Sequence, residues 1–222
     1  MSAVALLLAL ASANAPHERC AVDRLAMLAL DQRRFDQDIA GGWRPLADLG
    51  CDLAAADLIA AWRAVHASAH PDLFWHEGQM RANAGQTDAA IALFERARHP
   101  AATDAIGWNL YVDGTIAFLR RDRTGLLAAR DRLARLPAPK DWHPNDPDGK
   151  PVRIAWPLNL NVLDGFLQCW DASYRDAYAA APGRSLTLRG PRVRVHVGIR
   201  AVARRSHTLP RILQRTTPGR LS

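Results

Sequence analysis

FWHEGQMRANAGQTDAAIALFERARHP, residues 74–100, is the stretch that decides the fold. Pro71 suits the first turn of a helix, because its missing N–H has no intrahelical acceptor there. Gly85 breaks the periodicity, so the spacing predicts helices over 72–84 and 88–98, joined by Ala84-Gly85-Gln86. Thr87 is placed to cap the second helix. Gly78 has no side chain and permits close approach of a neighbouring helix, while Ala90, Phe94 and Ala97 fall on one face of the second helix.

The same periodicity extends in both directions. Upstream, Val22, Leu25, Ala26 and Ala29 recur at three-to-four spacing until Gly41-Gly42, which predicts one helix. A second runs from Leu53 to His66 on Leu58, Trp62 and Val65, with Asp52 as its expected N-cap. Downstream, Thr103 is the expected cap of a helix carrying Ile106, Leu110, Ala117 and Phe118. Thr124 is the expected cap of one carrying Leu126, Ala129, Leu133 and Leu136, which Pro137-Ala138-Pro139 ends. Residues 137–153, PAPKDWHPNDPDGKPVR, hold five prolines and the turn signal Asp146-Pro147-Asp148-Gly149; they read as an ordered loop with Trp142 pinned to the helices. Pro157 then suits a first helical turn, followed by the face Leu163, Phe166, Leu167 and Trp170, and Tyr174 and Tyr178 lie on a short last helix. No strand alternation occurs before the tail. The expected fold is all-α, a set of stacked antiparallel helical hairpins over residues 16–182.

With Gly85 set at the inter-helix glycine, Gly78 takes the small position of the first helix, and Ala90, Phe94 and Ala97 take the small, aromatic and small positions of the second. On these residues the hairpin resembles a tetratricopeptide repeat, and the fold this implies is a short tetratricopeptide-like α-solenoid. Trp75 lies one residue from the family's aromatic, Glu77 stands where Leu is usual, and Arg81 stands where an aromatic is usual. A looser second unit pairs Ala129 with Ala90 and Leu133 with Phe94, at an offset of about 39 against the usual 34. The runs GWRPLADLGCDLAAADLIAAW, WHEGQMRANAG and WPLNLNVLDGFLQCWDASYRDAY are similar to a group of exported proteobacterial proteins with tetratricopeptide-like helices, a likeness that implies no activity.

Residues 1–15 read as a signal peptide: Val4 to Ala11 is an apolar run too short for a bilayer, followed by the small-x-small pattern Ala13-Asn14-Ala15. Cleavage is expected at Ala15–Pro16 or nearby, which makes the protein periplasmic or secreted. Export permits disulfides, and Cys20 and Cys51 are expected to pair across the first hairpin; Cys169 is left as a packed thiol.

Charge divides the chain. Residues 183–222 carry ten arginines with no lysine and no acid, and the other 19 basic and 22 acidic residues leave residues 1–182 at −3. The body therefore gives no electrostatic reason to expect a specific nucleic acid partner. The Arg-rich tail reads as a non-native terminus translated out of register, as an unstructured tail, or as an arm binding polyanions non-specifically.

Candidate chemistry is sparse. His66 and His70, four apart, with His76 and Glu77 nearby, raise a metal site, but helix ends favour histidine for its interaction with the dipole. His143 with Asp141, Asp146 and Asp148 reads as a solvated turn, and no metal or cofactor is expected. Phosphate-loop, zinc-protease and nucleophile-elbow motifs do not occur. Trp62, Trp75, Trp108 and Trp170 fall at helix-packing spacing, with Trp142 and Trp156 the more exposed pair. The function expected is a non-catalytic scaffold for a protein or peptide, with polar contacts from Gln79, Arg81, Asn83, Asn109 and Asp113. The alternatives are an envelope enzyme or accessory subunit using His76 and Glu77, or polyanion binding through the tail.

Overall fold

A computed structural model describes residues 19–140, 142–144, 149–152 and 154–182; the expected signal peptide, residues 1–15, and the Arg-rich tail lie outside the described residues. Every regular element among the described residues is a helix, so the all-α expectation holds there. No described helix is long and apolar enough to cross a membrane.

The first predicted helix is the largest departure. In its place stand α1 (Arg24–Leu28) and a π turn (Arg33–Gln37), and past Gly41-Gly42 follows α2 (Arg44–Asp48), where no helix was expected. Asp23 caps α1 by accepting from the Ala26 N–H at 3.0 Å, and Asp31 accepts from the Arg34 N–H at 2.9 Å. Such side-chain acceptors offer the backbone an alternative to a continuous helix. Gly42 then takes φ +56°, where a Cβ would stand 1.8 Å from the Phe35 carbonyl oxygen. The breaks turn Phe35 and Trp43 inward, to 0 % and 3 % exposure. Val22, Leu25, Ala26 and Ala29, the expected buried stripe, all face solvent.

The remaining helices stand close to their expected places: α3 (Asp52–Val65), α4 (Pro71–Asn83), α5 (Thr87–Arg96), α6 (Trp108–Leu119), α7 (Arg123–Ala134), α8 (Leu160–Gln168) and α9 (Tyr174–Ala179). Gly85, at φ +78°, turns the chain between α4 and α5. A Cβ on Gly78 would lie 2.6 Å from the Phe94 ring, which is itself fully buried. Any side chain there would overpack the α4–α5 contact, a change that typically costs about 1–3 kcal/mol.

The caps differ from the expected threonines. Asp52 is the first residue of α3, and Cys51 precedes it. Thr87 is likewise inside α5 behind Gln86. Asp104 caps α6, accepting from the Trp108 and Asn109 N–H groups at 2.7 and 2.9 Å, while the Thr103 hydroxyl donates to the Pro100 carbonyl. Asp122 caps α7 through the Gly125 N–H, leaving Thr124 within the helix. A carboxylate accepts these N–H bonds with a full negative charge at the positive end of the helix, which a hydroxyl lacks.

Helix α8 starts at Leu160, later than Pro157 suggested, because Asn159 adopts the left-handed conformation at φ +60°. The preceding loop is pinned as expected, though by both tryptophans: Trp142 and Trp156 meet edge-on at 4.8 Å, and the Trp156 indole N–H donates to the Leu136 carbonyl.

Two apolar clusters share α4. Leu73 and Met80 join Phe35, Trp43, Leu46, Leu58, Ile59 and Trp62. Phe74, Trp75 and Ala82 join Phe94, Tyr111, Phe118, Leu126, Leu163 and Phe166. The Cys20–Cys51 disulfide forms as expected, with Cα atoms 5.6 Å apart, and Cys169 is a free, half-buried thiol.

Candidate functional site

Helix α4 carries most of the polar side chains that the sequence brings into question. Glu77, 4 % exposed, accepts from Arg63 at 2.5 and 3.1 Å and from Arg81 at 3.5 Å. Arg81 also reaches Asp57 at 2.9 Å and the Gln86 side chain at 2.9 Å. Glu77 and Arg81 stand where the tetratricopeptide resemblance would place Leu and an aromatic residue. The departures are complementary: a buried acid is matched by the cations of α3 and α4, as burial of a charge requires. Arg63 and Arg96 also cover the Phe74 ring, at 4.2 and 3.9 Å from its centroid.

The other residues expected at a partner site are similarly engaged. Asn83 donates to Asp52 at 3.0 Å, and Asp52 also receives Arg175 from α9. Asn109 clasps the backbone of His99, accepting from its N–H at 3.0 Å and donating to its carbonyl at 2.9 Å. Asp113 pairs with Arg98 at 2.8 Å; hydrogen bonding to Glu95, then to Asp113, raises the pKa of that guanidinium despite partial desolvation. Gln79 is buried on α4. Arg81 lines an open groove of about 760 Å³ with Glu77, Gln86 and Asp88, and Asn83 lines a smaller one of about 210 Å³ with Phe118 and Tyr174. Asn109 and Asp113 sit on α6, beside His99 and Arg98.

The histidines separate. His66 stacks on Trp62 at 4.0 Å, with Nε2 2.9 Å from the Leu28 carbonyl, and His70 accepts from the Asp72 N–H at the start of α4. Among the described residues no three His, Cys, Asp or Glu side chains gather as metal ligands. Asp141, Asp146 and Asp148 lie outside the described residues. His76 is different. Its Nδ1 stands 2.7 Å from Asp36, a fully buried carboxylate that also accepts from the Trp43 indole at 3.1 Å and the Gln37 amide at 2.6 Å. Burial by itself pushes the Asp36 pKa up; the hydrogen bond and positive charge of His76, with Trp43 and Gln37, outweigh it and hold the carboxyl below its ordinary value. Sequence reasoning named His76 but missed Asp36, since the two are forty positions apart and meet only through the π turn.

An unanticipated cavity lies beside the disulfide. Cys20, Cys51, Leu53, Ala54, Asp57 and Ala84 border a mainly apolar groove of about 540 Å³. Asp57 belongs to this wall and pairs with Arg81, so the two grooves adjoin at that ion pair.

Compared with family models, with curated proteins and with solved structures, the chain matches none.

Proposed function

We propose that the protein is a non-catalytic, exported interaction scaffold, built as a short tetratricopeptide-like stack of hairpins, that holds a protein or peptide partner. The observation that carries this reading is where apolar side chains remain in water. Of the eight large hydrophobic residues exposed among the described residues, six fall between positions 22 and 65, and Leu53 (47 %) borders the disulfide groove. Of these residues it is Leu53 that lines the mainly apolar groove beside the disulfide, a concave apolar surface suited to a partner's side chain, with Asp57, paired to Arg81, at its border. The disulfide supports residence outside the reducing cytosol. Buried Asp52 and Glu77 are matched by Arg175 and Arg63, which fits a structural use of the acids.

A photo-crosslinking residue at position 53, in protein produced in an exporting bacterium, tests this. A discrete adduct at position 53, absent with the crosslinker at the similarly exposed Leu127 of α7 (42 %), is expected; no adduct at 53, or the same adducts at both, overturns it. The Asp36–His76 pair is the arrangement that favours the alternative, an envelope enzyme or accessory subunit, because a buried carboxylate that orients histidine is a recurrent way to prepare a general base. Hydrolysis of general ester substrates that is abolished by His76→Ala would favour it over the scaffold.

A further inference from the structure

The two sulfurs of the Cys20–Cys51 bond occupy unlike positions. Cys51 is 5 % exposed and immediately precedes α3, whereas Cys20 is half-buried, and both border the groove of about 540 Å³. Cys20, the more exposed of the two residues, is the one that a thiol entering from solvent meets more readily. Cys51 stands at the N-cap of a helix of 14 residues with no side-chain cap hydrogen bond. First-turn N–H groups without intrahelical acceptors, and the positive end of the dipole, stabilise a thiolate at that place. The carboxylates nearby have partners of their own. Asp52 is matched by Arg175 and Asn83, and Asp57 by Arg81.

We propose that Cys20 is a thiol-attack site and that the Cys20–Cys51 bond is opened and closed by an external dithiol, a small molecule or a dithiol oxidoreductase. A thiolate of the dithiol attacks Cys20 Sγ; the new S–S bond forms as Sγ–Sγ breaks, and the electron pair leaves on Cys51 Sγ. The second thiol of the dithiol, as its thiolate, then displaces Cys20 Sγ. The dithiol ends as its own disulfide, having given up two electrons, and each cysteine sulfur takes up a proton in proportion to its basicity. The better leaving group is the thiol of lower pKa, which directs the first attack to Cys20.

Opening this bond has a local structural consequence. Helix α1 has no buried residue, and Cys20, Met27, Leu28 and Leu30 are only partly buried against the first cluster. Besides these contacts, the Leu30 carbonyl accepts from Trp62 and the Leu28 carbonyl meets His66, each at 2.9 Å. The disulfide is the covalent tether of residues 20–30, and its reduction loosens them from α3. This goes beyond the scaffold reading and concerns the chain with no partner in the groove, because Leu53 and Cys20 border the same groove.

The oxidised full chain, treated with reduced glutathione at neutral pH, quenched with iodoacetamide and mapped by mass spectrometry, tests the direction of attack. Glutathione on Cys20 and alkyl on Cys51, in about tenfold excess over the reverse, is the expected result. An even distribution, a preference for Cys51, or a bond that opens only as fast as the whole protein unfolds overturns the proposal. The measurement uses the native chain, so it does not depend on a variant folding. As a second measurement, thiolate absorbance in the Cys20→Ser/Cys169→Ala chain, where Cys51 is the one remaining thiol, is expected to titrate Cys51 below the ordinary value of about 8.5. Titration at or above that value in a chain that retains its helices overturns the assignment of Cys51 as leaving group.

Discussion

Asp36 shows how much one side chain organises. It receives Trp43, Gln37 and His76, while its backbone carbonyl accepts from Arg44 at 2.6 Å. Its folded pKa lies below the ordinary 3.8. A carboxylate depressed on folding contributes stability that is fully present above its unfolded pKa and is lost as pH falls through the folded one. Asp36→Asn is accordingly expected to lower stability at neutral pH by about 1.5–3 kcal/mol, the worth of hydrogen bonds to a charged group. The gap between wild type and variant should close as pH drops below 3.8, read by urea unfolding at a series of pH values. A gap that stays constant into acid would mean that charge on Asp36 does no stabilising. This residue was illegible in the sequence for a definite reason. Within an apparently periodic segment an aspartate reads as solvated, and only the turn that carries Trp43 inward reveals its partners.

At the level of elements, the helices from α3 to α9 were legible because pairs such as Leu58 with Trp62, Ala90 with Phe94, Leu126 with Leu133 and Leu163 with Phe166 stand at helical spacing and are buried. Their starts were less so. Thr103 and Thr124 carry the expected chemistry, but Asp104 and Asp122, one or two positions away, carry more charge and win. Asp122→Ala should therefore destabilise by about 1 kcal/mol, whereas Thr124→Ala should be close to neutral. Thermal unfolding of the two variants decides between the caps, and a larger loss for Thr124→Ala would contradict the assignment. The segment before α3 misled for the opposite reason: Leu25 and Ala26 keep the period but face water, so the pattern there reflects no buried face. The five polar residues of the expected partner site were recognisable as belonging to α4 and α6. Their tertiary partners, Asp57, Asp52, His99 and Arg98, were not, since each such pairing depends on how separate segments come together.

For the molecule as a whole, Asp52 ties α3, α4 and α9 together by accepting from Asn83 and Arg175. Its side chain is 5 % exposed and that of Arg175 43 %, so loss of the cation leaves a buried charge under-compensated while the reverse loss leaves a solvated one. Arg175→Met is expected to cost about 1–3 kcal/mol, and Asp52→Asn added to it should recover most of the loss. Strictly additive penalties in chemical denaturation would deny the coupling. Helix α4, which gives Leu73 and Met80 to one cluster and Phe74, Trp75 and Ala82 to the other, has a further consequence. In an array whose units meet only at their borders, an end unit can fray while its neighbour persists. Here neither half retains a complete interior without that one helix, so the two halves behave as a single cooperative unit. Amide protons of Leu73 through Ala82 should be the slowest in the chain to exchange with deuterium, at the free energy of global unfolding, while those of α1 exchange through local opening.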